Sequence, residues 1–347
     1  MAAQRSRRKR PSMNDVARLA GVSQTTVSFV VNNVESANIP PETRKRVWKA
    51  IEQLGYRPNA MARSLRSSRT HTLGFISDEV ATTPYAGQMI QGAQDAAWEQ
   101  DNLLLLVNTG ADARLEEAAI ETLLERQVEG IIYAAMYHRS VSPPSIIHEV
   151  PTVLLDCFIP DRSLPSVTPD EVQGGYTATE TLIKAGHRRI AFINNKDDIP
   201  ATRGRLAGYK KALADYHIPF DETLVQIAGA GPSGFNSYEA TYQLMHLANP
   251  PTAIFCFNDR MAMDTYQALH RLGLSIPDDV AVIGFDNQEI IADILRPGLT
   301  TVALPHYQMG WWAAQHLLQL IENIDAPAPS SPVQHTIACP LVLRHSV

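Results

Sequence analysis

The body of this 347-residue chain alternates apolar runs of strand length with helical segments, and nothing else in it constrains the fold as tightly. The runs lie at 73–77, 103–108, 130–134, 152–156, 190–194, 253–258, 280–286 and 301–304. Helical segments fall between most of them, at 85–100, 115–126, 174–185, 205–216, 237–247 and 259–272. Near-continuous apolar strands separated by helices predict parallel sheets covered on both faces. The same rhythm in both halves predicts two doubly wound α/β lobes. Gly186 and Gly273 follow helical segments directly and read as their C-terminal stops.

In such sheets a ligand sits outside the carboxyl ends of the strands. Those ends carry Ser77 and Asp78, Asn108, Asp156, Asn194, Asn258 and Asp259, then Asp286 and Asn287. Short carboxylates and amides suit a hydroxyl-rich ligand. Asp286, after Val-Ala-Val-Ile-Gly-Phe, is the leading ligand candidate. Asp259 reads as a simple helix cap, and Asn108 and Asn194 as turn formers. Arg203 and Arg205 lie past another strand end. Either can meet a ligand, and Arg205 can equally form a structural ion pair.

The first 70 residues differ from the rest. They hold fourteen Lys and Arg against four Asp and Glu, leaving 16 basic and 32 acidic residues in the remainder. A basic head on an acidic body suits phosphate binding without general adhesion to nucleic acid. Within the head, 14–33 reads as two short helices joined by a tight turn. Val16, Leu19 and Ala20 face inward on the first, Gly21 ends it, Ser23 caps the second, and Val27, Val30 and Val31 pack back. Gln24, Thr25, Ser28 and Phe29 then project outward, as a helix-turn-helix presents side chains to a DNA major groove. An ordinary helical hairpin is the plainer alternative. A third helix runs through 42–54, with Val47, Ile51 and Leu54 inward and Gly55 closing it. Beyond it, Asn59 can cap a further helix of about two turns, too short to be stable alone. Leu65 stands among Arg63, Arg66 and Arg69, which suits a minor-groove wedge; a plain linker is the alternative. Arg5 to Arg10 form a basic arm.

Other classes find little support. No apolar run reaches the ~20 residues of a membrane span, and no secretory segment follows the basic N-terminus. Cys157, Cys256 and Cys339 are scattered and odd in number, which predicts buried reduced thiols of a cytoplasmic protein, with no disulfide framework or metal site. No nucleophile elbow, zinc-spaced His pair or phosphate loop occurs, so an enzyme is not expected, nor a cofactor. A free-standing sugar-binding protein would not need the basic head.

Ordered motifs across the chain resemble the LacI/GalR family of bacterial transcriptional regulators. They are Asp15-Val-Ala-x-x-Ala-Gly-Val-Ser-x-x-Thr-Val-Ser, Leu54-Gly-Tyr-x-Pro-Asn, Gly186-His-Arg-Arg-Ile, Arg205-Leu-Ala-Gly-Tyr, Asn258-Asp-x-Met-Ala and Ile283-Gly-Phe-Asp. The resemblance extends from about Ser12 to Leu343. It implies an all-α helix-turn-helix domain over 12–66, with a hinge helix at about 58–66. An effector-binding and dimerisation domain over 72–347, built like periplasmic sugar-binding proteins, would follow. Its first lobe would take about 72–168 and 305–332, its second 169–304 and 333–347. The expected protein is a cytoplasmic, nucleoid-associated homodimeric repressor that binds a pseudo-palindromic double-stranded operator under control of a small effector, a sugar. Carried over by position, Gln24, Thr25 and Phe29 read bases. Ser12, Ser23, Thr26, Ser28, Asn32, Tyr56 and Asn59 contact or support the DNA backbone, and Ala62 and Leu65 enter the minor groove. In the effector site, Arg205 and Asp286 match the most regular contacts, Asp156 and Asn258 less regular ones; Asp78, Tyr85 and Phe235 are the nearest residues at the remaining positions.

The chain departs from the family pattern in three places. Phe29 replaces the usual hydrogen-bonding residue and can only pack, for example on a thymine methyl. Pro40 replaces the cap before the third helix. The loop at 78–85 lacks the usual Phe pair, and the aromatic expected at 229–238 is missing or displaced, with Ser233 or Phe235 nearest to its position. The chain has no room for a leucine-zipper tail, which favours a dimer over a tetramer.

Overall fold

The computed structural model describes residues 11–56, 69–83, 86–231, 234–326 and 331–347. The readings placed on Asn59, Ala62, Leu65, Tyr85 and the 58–66 hinge helix lie outside the described residues. The chain divides into two compact units, Met1–Thr70 and His71–Val347.

In the first unit, local chemistry sets the helix boundaries. Helix α1 (Met13–Ala20) opens on a capping box in which Asp15 Oδ2 accepts from the Ser12 backbone N–H at 2.9 Å. It closes at Gly21, whose φ of 64° is the left-handed value glycine tolerates. Helix α2 (Gln24–Val31) starts where Ser23 Oγ accepts from the Thr26 N–H at 3.1 Å. Helix α3 (Pro41–Leu54) follows Pro40, which supplies no side-chain cap; Pro41 instead opens the first turn with its φ already helical. Val16, Val27, Val30 and Val47 pack at the centre.

Two inward or outward assignments are corrected here. Leu19 is 51% exposed, because the buried face of α1 is Val16, Ala17 and Ala20; that face is centred more than a quarter turn from Leu19. Ser28 is buried beside Val27 and Val30 and does not project outward. Its Oγ accepts from Asn32 Nδ2 at 3.2 Å.

The second unit contains two six-stranded sheets. The chain runs β1 (Thr72–Ser77), α4 (Gly87–Trp98), β2 (Leu103–Asn108), α5 (Ala113–Glu125), β3 (Ile131–Ser140), β4 (Thr152–Phe158) and β5 (Ser166–Pro169). It then crosses over to α6 (Glu171–Lys184), β6 (Ile190–Asn195), α7 (Pro200–Asp215), β7 (Val225–Ala228) and a small hairpin of β8 (Ala230–Gly231) and β9 (Gly234–Phe235). There follow α8 (Ser237–Met245), β10 (Ala253–Cys256), α9 (Asp259–Arg271), β11 (Ala281–Asp286), α10 (Glu289–Ala292) and β12 (Thr300–Ala303). Last come α11 (His306–Glu322), β13 (Gln334–Ile337) and β14 (Leu341–Val342). The sheet orders are β13-β5-β4-β3-β1-β2 and β14-β12-β11-β10-β6-β7, parallel except for β14. Each sheet is covered by helices, and the apolar strands form the cores on Phe75 and Ile132 in one lobe and Phe192 and Phe255 in the other.

The last lobe boundary is also corrected. Residues 334–337 belong to the first sheet, where β13 pairs in parallel with β5 from Gln334↔Ser166 to Ile337↔Pro169. Gln334 accepts from Ser166 Oγ at 2.8 Å and donates to the Leu164 carbonyl at 2.9 Å, which fastens the strand to that edge. The chain returns to the second sheet only at β14.

Candidate functional site

The head presents the exposed side chains of Gln24, Thr25 and Phe29 on α2. No acidic residue lies in the first turn of α2, so no carboxylate offsets its positive dipole end, a favourable setting for a phosphate. Ser12 and Ser23 are both engaged as helix caps, and Ser23 Oγ lies 2.9 Å from Thr26 Oγ1. Asn32 holds the last turn through the Ser28 carbonyl at 2.8 Å. Tyr56 is buried in the core of the head.

In the larger unit a cavity of about 300 Å³ opens between the two sheets, at the carboxyl ends of their strands. The backbone prepares it on the first-lobe side. The β3–β4 register jumps from Ala134↔Leu155 to Arg139↔Cys157, so β3 carries several extra residues opposite Asp156. The break holds Asp156 at φ 57° and carries Met136, Tyr137 and His138 over the opening. From the second lobe come Glu171 at the start of α6, Arg205 on α7, Asn258 before α9 and Asp286 at the end of β11.

A buried charge cluster forms the floor. Arg205, 3% exposed, donates from Nε to Glu171 Oε2 at 2.8 Å and from Nη1 to the Phe257 carbonyl at 2.5 Å, with Asp286 Oδ1 at 3.5 Å. Its guanidinium lies over the rings of Phe285 and Phe257, at 3.6 and 4.3 Å. Asp286 sits at φ 97° and accepts from Gln288 Nε2 at 3.1 Å. Burial outweighs Arg205 and pushes its carboxyl up to about 6. Burial, reinforced by Glu171, likewise raises Asp156 well above the carboxylate range. His138 is pushed the other way, to about 4, by burial and by the positive field of Arg162 and Arg205. Asp156 Oδ1 and His138 Nδ1 are buried and find no hydrogen-bond partner among the described residues.

Of the residues expected at this site, Asp156, Arg205, Asn258 and Asp286 come together on the cavity wall. Asn258 also caps α9 by accepting from the Met261 N–H at 2.9 Å. The cap assigned to Asp259 is therefore Asn258's. Asp259 is fully buried and instead ties the loops together, accepting from the Gln288 N–H at 2.6 Å and from Thr301 Oγ1 at 2.7 Å. Asp78 does not line the cavity. It is committed to Arg139 at 2.7 Å and to the Met136 N–H at 3.3 Å, which anchors the extended end of β3. The backbone of Phe235 pairs with Ala230 in the hairpin. Arg203 pairs with Asp198 outside the cavity. Glu171 and His138 were missed from sequence. Glu171 lies before the segment read as helical from sequence, 174–185, and His138 lies beyond the apolar stretch that marks β3.

The titration of Asp286 is open to measurement. With a native value near 6 against an unfolded value near 4, the native state holds the extra proton between those values. Stability from this group therefore increases as pH falls through 6 and is lost as pH rises past it. The melting-temperature difference, wild type minus Asp286→Asn, should grow from pH 7.5 to 4.5, corresponding to about 3 kcal/mol in full. His138 is present in both proteins, whereas Asp156 and Asp259, whose carboxyls Asp286 helps to raise, respond to the substitution and contribute to the difference. A difference independent of pH would contradict the raised carboxyl.

No helix among the described residues is long and apolar enough to cross a membrane, and no cluster of His, Cys, Asp and Glu among them is placed to hold a metal ion. The chain matches the model for bacterial regulatory proteins of the lacI family over residues 12–59 and that for a periplasmic binding protein-like domain over 179–347. It is 35% identical over 329 residues to the HTH-type transcriptional regulator RegA of Clostridium saccharobutylicum, covering 94% of this chain and 97% of that one. It is 34% identical over 316 residues to the HTH-type transcriptional repressor PurR of Vibrio atlanticus, covering 90% and 93%. Among solved structures, the transcriptional regulator CelR–cellobiose complex superposes with a TM-score of 0.66 at 29% identity, over 97% of this chain and 100% of that one. With a helix-turn-helix head, a two-lobed α/β body and relatives of this similarity along nearly its whole length, the chain belongs to the LacI/GalR family of bacterial transcriptional regulators.

Proposed function

We propose that the protein is a cytoplasmic homodimeric repressor that holds a pseudo-palindromic operator and exchanges it in response to a hydroxyl-bearing small molecule, a sugar, bound between the lobes. The observation that carries the effector reading is the buried Asp156–Glu171–Arg205–Asp286 cluster, drawn from both lobes and facing one cavity. A ligand touching both walls has different contacts in each relative arrangement of the lobes, and only such a difference can shift an equilibrium. The CelR relative, solved with cellobiose, is in keeping with a sugar at such a site. Operator and effector then affect one another reciprocally, by one coupling free energy.

At the DNA end, Gln24, Thr25 and Phe29 read bases from α2, and the dipole end of that helix meets phosphate. Ala62 and Leu65 enter the minor groove, Leu65 as the wedge. Ser12, Ser23 and Asn32 act by holding the helix ends, Ser28 and Tyr56 from within the core, and Thr26 and Asn59 at the backbone. The test is selection of binding sites from a randomised duplex library by the full-length protein. An inverted repeat should emerge, with a thymine favoured opposite Phe29. Phe29→Ala should relax the preference at that one base pair, by at most roughly the 1–3 kcal/mol that one mismatched base pair costs. Enrichment of no repeated half-site would overturn the operator reading.

A further inference from the structure

The charge balance of the cavity narrows the effector reading on which it rests. Four carboxylates face the space, from Asp156, Glu171, Asp197 and Asp286. Among the described lining residues one cation opposes them, Arg205, and no lysine. That cation is already matched: Glu171 takes its Nε, the Phe257 carbonyl its Nη1, and Asp286 lies at 3.5 Å. A phosphate or carboxylate brought into this space would add negative charge next to several carboxylates with no unmatched cation to receive it. His138 does not supply one, since it stays neutral at physiological pH.

A second observation says what the site does accept. Asp156 is 2% exposed, its Oδ1 has no partner among the described residues, and it lines the cavity. A buried carboxyl oxygen needs a donor. Hydroxyl, ammonium and N–H groups donate, whereas an ionised phosphate or carboxylate only accepts. His138 Nδ1, also buried and without a partner, adds a further polar point on the same wall. At about 300 Å³ the cavity stands at the small end of ligand pockets, near one sugar ring in capacity.

We propose that this cavity selects a neutral or amine-bearing polyol and rejects the phosphate ester or the acid of the same scaffold, with Asp156 receiving a hydroxyl or ammonium donor of the ligand. Asp156 is thus a specificity-determining residue, acting through its buried acceptor oxygen.

The test uses the full-length protein at pH 8 with matched sets of hexoses and pentoses. Each set contains the neutral sugar, its 2-amino form, its terminal phosphate and its uronic acid. Free nucleobases and nucleosides are added as non-sugar neutral ligands. Thermal shift identifies ligands, since one that binds the native state raises the melting temperature by mass action, and calorimetric titration gives the affinities. A neutral or amino sugar should bind, with its phosphate and acid at least 100-fold weaker. A phosphate or acid that is the tighter member of its set would overturn the charge selection and leave the sugar reading in place. Binding of a neutral nucleobase or nucleoside alone would overturn the sugar reading and leave the charge selection in place. Binding by no member of any set would overturn both. Asp156→Asn keeps the shape but replaces the ionisable carboxyl with a neutral amide that can also donate to an anion, so it should narrow the neutral-to-anionic affinity ratio at least tenfold. An unchanged ratio in a folded variant would remove Asp156 from the role. The wild-type ratio tests the charge selection whether or not that variant folds.

Discussion

Arg205→Ala is expected to destabilise the larger unit by about 3–5 kcal/mol, the usual effect of removing one partner from a buried ion pair. The side chain is 3% exposed and Glu171 5%, so neither charge has water to fall back on. Alanine would leave Glu171 without its 2.8 Å partner, Asp286 without its nearby cation, and the rings of Phe257 and Phe285 without the group that covers them. The four carboxylates facing the cavity would then have no lysine or arginine among the described lining residues to balance them. Arg205→Met preserves the apolar stem and should fare little better, because the stranded charge is the larger part of the loss. Adding Glu171→Met to it should restore much of the stability, since a buried pair replaced on both sides by apolar groups is often nearly neutral. Chemical denaturation followed by tryptophan fluorescence would report this through Trp98, Trp311 and Trp312. An Arg205→Ala protein within about 1 kcal/mol of wild type would show the cluster to be held by packing alone.

Gly208→Ala should also destabilise, although alanine is the better helix former by about 1 kcal/mol. A Cβ at Gly208 on α7 would lie 2.1 Å from the Val172 carbonyl and 2.4 Å from the Tyr176 nitrogen on α6. Both obstacles are backbone, so the helices must separate. Separation also draws Arg205 on α7 away from Glu171 on α6, because the close approach of these helices is what brings the pair within 2.8 Å. Overpacking of this kind costs about 1–3 kcal/mol and occasionally more. Melting temperature and effector affinity should therefore fall together in this variant. A rise in melting temperature, the propensity result, would show that the helices have room to spare.

Legibility varied with the range of the interaction. The strands β1, β3, β4, β6, β10 and β11 announce themselves because burial on both faces demands apolar residues throughout. Strands β5, β7 and β13 escape a sequence reading because Ser-Val-Thr-Pro, Val-Gln-Ile-Ala and Gln-His-Thr-Ile are short and partly polar. Helix α11 is absent from the sequence reading as well. Its apolar residues arrive in adjacent pairs, Trp311-Trp312 and Leu317-Leu318, which blur the spacing of a single buried face. Leu19 and Ser28 were assigned to the wrong sides for a related reason. In an eight-residue helix the buried face is chosen by the partner helices, and hydrophobicity alone places it only to within a residue.

The sequence by itself determined the helix-turn-helix head and the doubly wound body. Caps such as Ser12–Asp15 and Ser23–Thr26 and the stop at Gly21 act across three or four residues, so their meaning is written locally. The residues at strand ends were legible for the same reason, since each follows its own apolar run. Only the tertiary structure decided that Glu171 joins Arg205, that Asp78 is held by Arg139, and that 334–337 completes the first sheet. Arg205 and Asp286 are 81 positions apart, and Arg162 and Gln334 are 172 apart. At such separations, partnership is set by strand register and helix approach, which depend on packing the whole domain at once and not on any single stretch of chain.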